Sequence, residues 1–138
     1  MILLDTNVLS ELMRPQPETK VVAWVDAQLT TTLFISSVTR AEIELGLALL
    51  PEGKRRRMLE SAAQGMFQMF AGRCLEFGEA AASVYARIVS LRIQAGSPIT
   101  VEDAQIASIA IVYGLDLATR NTKDFSDITG LTLINPWV

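Results

Sequence analysis

Residues 2–7, Ile2-Leu3-Leu4-Asp5-Thr6-Asn7, decide how the rest of the chain is read. Three apolar residues are too few for a helix, and the carboxylate, hydroxyl and amide that follow are capping and turn chemistry. The run therefore reads as a short buried strand that stops at Asp5. Working outward, helical spacing predicts a short helix before Pro15 and a second over about 18–29. Leu33-Phe34-Ile35-Ser36 reads as the next strand, followed by a helix from Ser37 or nearby to about Leu50, with an apolar stripe at Val38, Ala41, Leu45, Ala48 and Leu49. Pro51-Glu52-Gly53 ends that helix, and another runs over about 54–70. Residues 74–77 predict a third strand, 79–94 a helix stopped by Gly96, and Thr100 caps a helix that lasts to Gly114. Leu117-Ala118-Thr119 and residues 131–134 supply the last two strands, across a polar stretch from Arg120 to Gly130. Strands alternating with helices predict an α/β fold: one domain over 1–138 with a mostly parallel sheet of four to five strands flanked by helices on both faces.

Composition narrows the chemistry. The 138 residues include 15 acids and 12 bases, a net charge of −3, one cysteine and no histidine. Without histidine there is no imidazole base, no Ser-His-Asp or Cys-His nucleophile and no His-ligated zinc. A lone Cys74 excludes an internal disulfide, a CxxC redox pair and an iron–sulfur cluster, and reads as a small core residue in a reducing compartment. Neither GxGxxG nor GxxxxGK[ST] occurs, so dinucleotide and P-loop sites have no fingerprint. No apolar run approaches the ~20 residues of a membrane span, and the N-terminus lacks a basic leader, which predicts a soluble, cytoplasmic protein without a membrane partner. Any catalysis must run on carboxylates.

An acid on a solvated helix face explains itself, whereas one on an apolar stripe has to be paired, neutralised or bound to metal. Glu44 has Arg40 one turn before it, an ordinary i,i+4 pair. Glu42 sits between Val38 and Thr39 on one side and Leu45 and Gly46 on the other, with no basic partner on its helix, and is expected to point inward. Asp103, followed by Ile106, Ala107 and Ala110, has the same placement, but on spacing alone a capping-box acid after Thr100 is the better explanation. Asp5 lies at the carboxyl end of the first strand, where open parallel sheets bind ligands, or else caps the following helix. Thr119, Arg120, Asn121 and Asp124 bring polar groups to the same rim. Several carboxylates sharing one pocket require a cation, and an all-oxygen donor set selects Mg²⁺ or Mn²⁺. Such an ion is commonly used with phosphate esters, where it activates water and offsets charge.

Leu4-Asp5-Thr6-Asn7-Val8, residues 39–46, Asp103-Ala104-Gln105-Ile106-Ala107 and residues 118–125, in this order and spacing, resemble the PIN-domain ribonucleases over nearly the whole chain. The length, the early Asp-Thr-Asn and the closing Asn135-Pro136-Trp137 are similar to the VapC/FitB-type toxins of bacterial toxin–antitoxin pairs. The resemblance implies a divalent-metal-dependent endoribonuclease in which Asp5, Glu42 and Asp103 hold Mg²⁺ or Mn²⁺ and activate water. Asn121 stands where many relatives carry an aspartate and would ligate weakly or hydrogen-bond a water, and Asp124, three residues on, either substitutes at the fourth acidic position or caps the following segment. Thr6 and Thr119 look like hydroxyls that orient the carboxylates. A homodimer, higher-order assemblies and a cognate antitoxin are also implied. The antitoxin peptide would lie in an apolar groove and direct an arginine into the acidic pocket.

Arg14, Arg40 and Arg120 adjoin the predicted pocket in sequence and are the candidate contacts to substrate phosphate. Lys54-Arg55-Arg56-Arg57 reads as a solvated helix start, with RNA backbone as the alternative. Met58, Met66, Phe67, Met69 and Phe70 read as core, or as dimer or antitoxin surface, and Trp24 and Trp137 as packing residues. Two rival functions remain open. An aspartate-dependent phosphatase or receiver-like domain would want an acid where the chain has Asn7. A non-catalytic PIN-like interaction module is kept open by Asn121.

Overall fold

In the computed structural model, which describes residues 1–138, the first strand β1 (Ile2–Leu4) divides the core in two. Successive side chains of a strand point to opposite faces. Leu3 accordingly joins one cluster with Ala81, Ile88, Ile106, Ile109, Leu117 and Phe125, while Leu4 joins the other with Val8, Leu9, Ile35, Ile43 and Phe67. The two clusters are the two helical layers.

On the Leu4 side lie α1 (Thr6–Leu12), α2 (Thr19–Asp26), α3 (Ser37–Ala48) and α4 (Lys54–Met69). On the Leu3 side lie α5 (Glu79–Gln94), α6 (Val101–Val112) and the short α7 (Thr122–Phe125). Between them β1 pairs in parallel with β2 (Leu33–Ser36) and β4 (Asp116–Ala118), β2 with β3 (Cys74–Leu75), and β4 with β5 (Leu133–Ile134). The order is β3-β2-β1-β4-β5, entirely parallel, as the alternation of elements predicts. The chain moves outward from β1 to β3 and then crosses back to β4, so β1 and β4 flank a topological switch point.

Local chemistry sets the helix starts. The Ser36 hydroxyl accepts from the Thr39 amide and the Thr100 hydroxyl from the Asp103 amide, each satisfying a helix N–H that has no partner within the helix. α6 is apolar almost all round, with residues 106–110 buried, because the sheet covers one side and α5 the other. Cys74 is half-buried in β3, and desolvation pushes its thiol up.

Several sequence readings need amendment: β3 stops at Leu75 and β5 begins at Leu133, each two residues shorter than its predicted strand. α2 is shorter than 18–29, ending at Asp26. The polar stretch after Arg120 contains α7, whose four residues are too few to show a period. The predicted stripe on α3 is not the core: Thr39 and Ile43 are buried, whereas Leu45 is 60% and Leu49 76% exposed. Helical spacing finds an apolar face but not what covers it, and α1 packs on the Thr39–Ile43 face instead.

Candidate active site

Asp5 follows β1 directly and is the N-cap of α1, its Oδ1 accepting the Thr6 amide at 2.8 Å. Its Oδ2 accepts the Thr119 hydroxyl at 2.7 Å and the Asn7 amide group at 3.3 Å. Thr119 follows β4 at the same edge of the sheet, so the pairing of β1 with β4 brings together groups 114 positions apart. The Thr6 hydroxyl donates to Glu42 Oε1 at 2.6 Å, tying α3 to the Asp5 loop. Asp103, in the first turn of α6, completes the acidic side of a cavity of about 500 Å³ that Asp5, Glu42 and Asp103 line together.

The carboxylates feel one another. Asp5, 4% exposed, is pushed up to about 6, first by desolvation, with the charges of Asp103 and Glu42 adding to it; the bonds from Thr119 and Thr6 work the other way. Asp103 is also raised, mainly by desolvation against the Thr100 bond, with Asp124, Glu42 and Glu102 contributing repulsion. Both acids hold charge at a cost that a bound cation would remove. No three acidic side chains stand close enough together to cage an ion unaided. This arrangement fits Mg²⁺ or Mn²⁺, hard ions held by one or two carboxylates with waters and substrate filling the remaining positions, and not an ion that needs a dedicated all-protein cage.

The other candidates divide. Thr6, Asn121, Arg14 and Arg120 line the cavity, and Thr119 touches it through Asp5. Asp124 does not line it; it is exposed on α7 and acts on Asp103 only through its charge. Arg40 lies elsewhere: its guanidinium pairs with Glu44 at 3.6 Å and lies 4.6 Å from the centre of the Phe67 ring. Adjacency of Arg40 to Glu42 in sequence misleads because consecutive helix residues point about 100° apart.

Three cavity residues, Ser10, Glu11 and Trp137, escape a sequence reading. Glu11 is 5% exposed and lies one turn after Asn7 on the same face of α1. Its carboxylate accepts the Glu18 amide at 2.9 Å and Arg14 at 3.1 Å, and the Glu18 bond is the first cause that holds its pKa low. The spacing Asn7, Glu11, Arg14, at i, i+4 and i+7, is the signal that could have found it. Trp137 lines the cavity as well, with the Arg120 guanidinium 5.2 Å over its ring.

Beside this cavity, and sharing Thr6, Arg14 and Glu42 with it, runs a larger groove of about 780 Å³ between α1, α3 and α4. Its floor is apolar, from Met13, Ile43, Leu47, Met58 and Leu59, and Lys54 and Arg55 stand on its rim. Lys54 and Arg55, the start of the basic run, thus face a groove and not open solvent alone.

A parallel sheet in 3-2-1-4-5 order with acids from three distant segments at its carboxyl edge defines a PIN domain, and the chain belongs to that family, whose pattern matches residues 2–131. Within it, the chain is 44% identical to Toxin FitB of Neisseria gonorrhoeae, over 99% of both chains. It is 42% identical to VapC ribonuclease Y4jK of Sinorhizobium fredii, over 99% of this chain and 98% of that one. Among solved structures, a chain of FitAB bound to an IR36 DNA fragment superposes with a TM-score of 0.92 at 42% identity, covering 100% of this chain and 96% of that one. No helix is long and apolar enough to cross a membrane.

Proposed function

We propose that this protein is a divalent-metal-dependent endoribonuclease and the toxin of a toxin–antitoxin pair. The observation that carries the reading is the meeting of Asp5, Glu42 and Asp103 in one cavity at the switch point of the sheet. Full-length similarity to proteins named ribonuclease and toxin supports it.

Asp5, Glu42 and Asp103 would hold the ion, Mg²⁺ or Mn²⁺, one or two of them directly and the rest through its waters, with Asn121 lining the same cavity. When bound, such an ion supplies a more acidic water and offsets charge that develops on the phosphate. The chain's own hydroxyls do the orienting: Thr119 fixes Oδ2 of Asp5 and Thr6 fixes Oε1 of Glu42, so neither carboxylate is free to swing toward the other. Arg14 and Arg120, which line the cavity too, present cations to the RNA backbone.

The groove beside the cavity suits an antitoxin peptide. Its floor takes apolar side chains, its basic rim favours acidic ones, and its junction with the cavity at Glu42 lets an arginine of the peptide reach the carboxylates and compete with the ion. The uncovered Leu45 and Leu49 on α3 are the face we assign to a second copy in a homodimer.

Purified protein incubated with RNA and Mg²⁺, beside Asp5→Asn and Asp103→Asn, tests the reading. Cleavage by wild type alone supports it. Covalent phosphate labelling of Asp5 would favour the phosphatase class, and inert wild type a non-catalytic module, the reading that Asn121 in place of a fourth acid favours.

A further inference from the structure

The cavity is electrically divided. Besides the acids just described, its lining carries two guanidinium groups, Arg14 and Arg120, whose charges both act on a further carboxylate, Glu11. Glu11 is buried and already committed to the Glu18 amide, so it cannot leave to join the other acids. It engages Arg14 through Nη1 alone, at 3.1–3.2 Å to its two oxygens. The rest of the Arg14 fork stays free, and the side chain is 63% exposed at the mouth where cavity and groove meet. Arg120 has no ion-pair partner and is held in place by the Trp137 ring and by its own amide on Asn7 Oδ1. With Arg14 63% exposed, its pair with Glu11 adds little to stability; the Glu18 amide, and not Arg14, anchors the buried carboxylate.

We propose that Arg14 and Arg120 form a subsite for an RNA phosphate adjacent to the one cleaved, with Glu11 as the residue that positions Arg14. Glu11 fixes one edge of the guanidinium so that the other edge meets a phosphate as a planar fork. This rests on the ribonuclease reading for its substrate class, and it adds a division of labour: the acids handle the reacting bond, and the arginines set the register of the strand across it.

The test measures binding of a fluorescein-labelled, mixed-sequence single-stranded oligoribonucleotide in EDTA, where cleavage does not intervene, as a function of salt, and steady-state cleavage of the same probe with Mg²⁺. Loss of one phosphate contact in Arg14→Ala should flatten the slope of log affinity against log salt by about 0.7 and weaken binding by roughly tenfold. In cleavage KM should rise more than kcat falls. Arg14→Lys keeps the charge and the slope but loses the fork, and should bind more weakly than wild type. Glu11→Gln gives the sharpest sign: removing a negative charge beside RNA should tighten binding if charge alone governs, whereas loss of positioning weakens it. In an Arg14→Ala background Glu11→Gln should no longer weaken binding, because the positioning role of Glu11 acts through Arg14. Tighter binding by Glu11→Gln, an equal loss in both backgrounds, or an unchanged slope in Arg14→Ala each overturns the proposal, and so does wild type that fails to bind the probe. Binding that follows the expected pattern without cleavage overturns the ribonuclease reading and leaves the subsite standing.

Discussion

Replacing Asp5 by Asn should make the metal-free protein more stable at neutral pH relative to acid. Asp5 titrates at about 6 in the folded chain against an ordinary 3.8. The folded state therefore keeps a proton that the unfolded chain releases. The stability this contributes is fully present below 3.8 and is lost as pH rises through about 6. The gap corresponds to about 3 kcal/mol, at about 1.4 kcal/mol for each pH unit. With a urea dependence of about 2 kcal/mol per molar, the midpoint difference between Asp5→Asn and wild type should grow by ~1.5 M between about pH 4 and about pH 8. Asp103 shifts in the same direction and Glu11 in the opposite one, but both are present in both proteins and largely cancel in the difference. Urea titrations in EDTA, followed by the fluorescence of Trp24 and Trp137, read it directly. Adding Mg²⁺ near pH 8 should then recover much of the wild-type loss and move Asp5→Asn far less. Midpoints of the two proteins that run parallel across the pH range would refute the argument that a buried, uncompensated charge sits at Asp5.

Glu42→Gln should leave the far-ultraviolet circular dichroism intact and lower RNA cleavage, since the side chain is only half-buried and its hydroxyl partner survives; loss of fold instead would make its role structural. Thr6→Val removes the donor to Glu42 and should cost roughly tenfold to a hundredfold in metal affinity or activity, read by Mg²⁺ titration of cleavage. Leu45→Glu places a charge on the uncovered face of α3 and should shift sedimentation toward the monomer with little change in melting temperature. Ser36→Ala deletes the cap of α3 and should destabilise by about 1 kcal/mol in urea unfolding.

Much of the architecture can be read directly from residue order. Ile2–Leu4, Leu33–Ser36 and Glu79–Gln94 have the bounds that apolar runs and glycine or serine stops predict, because each is settled by neighbours in sequence. What neighbours cannot supply is the covering surface, and the α3 stripe shows this: Val38 packs partly against the core, whereas Ala41, Leu45 and Leu49 are left exposed. Glu42 reaches the cavity from the border of that stripe, held by a hydroxyl 36 positions earlier. Asp5 and Asp103 teach a related lesson. A helix-start acid and a cavity acid appear as rival explanations in sequence, yet Asp5 caps α1 and lines the cavity, and Asp103 stands in the first turn of α6 and lines it too, because both helices begin where the cavity opens. Glu11 was hidden by its ordinary helical surroundings, and Arg40 was misplaced by adjacency.

The cavity draws side chains from position 5 to position 137, and the bond that fixes Asp5 comes from Thr119. A ribosome making this chain exposes β1, α1 and α3 early, but no wall opposite Asp5 exists until β4 has emerged and docked, nor is Arg120 stacked until Trp137 has cleared the exit tunnel. On the ribonuclease reading, the early elements alone are therefore silent, and the site forms only when the late ones dock against β1.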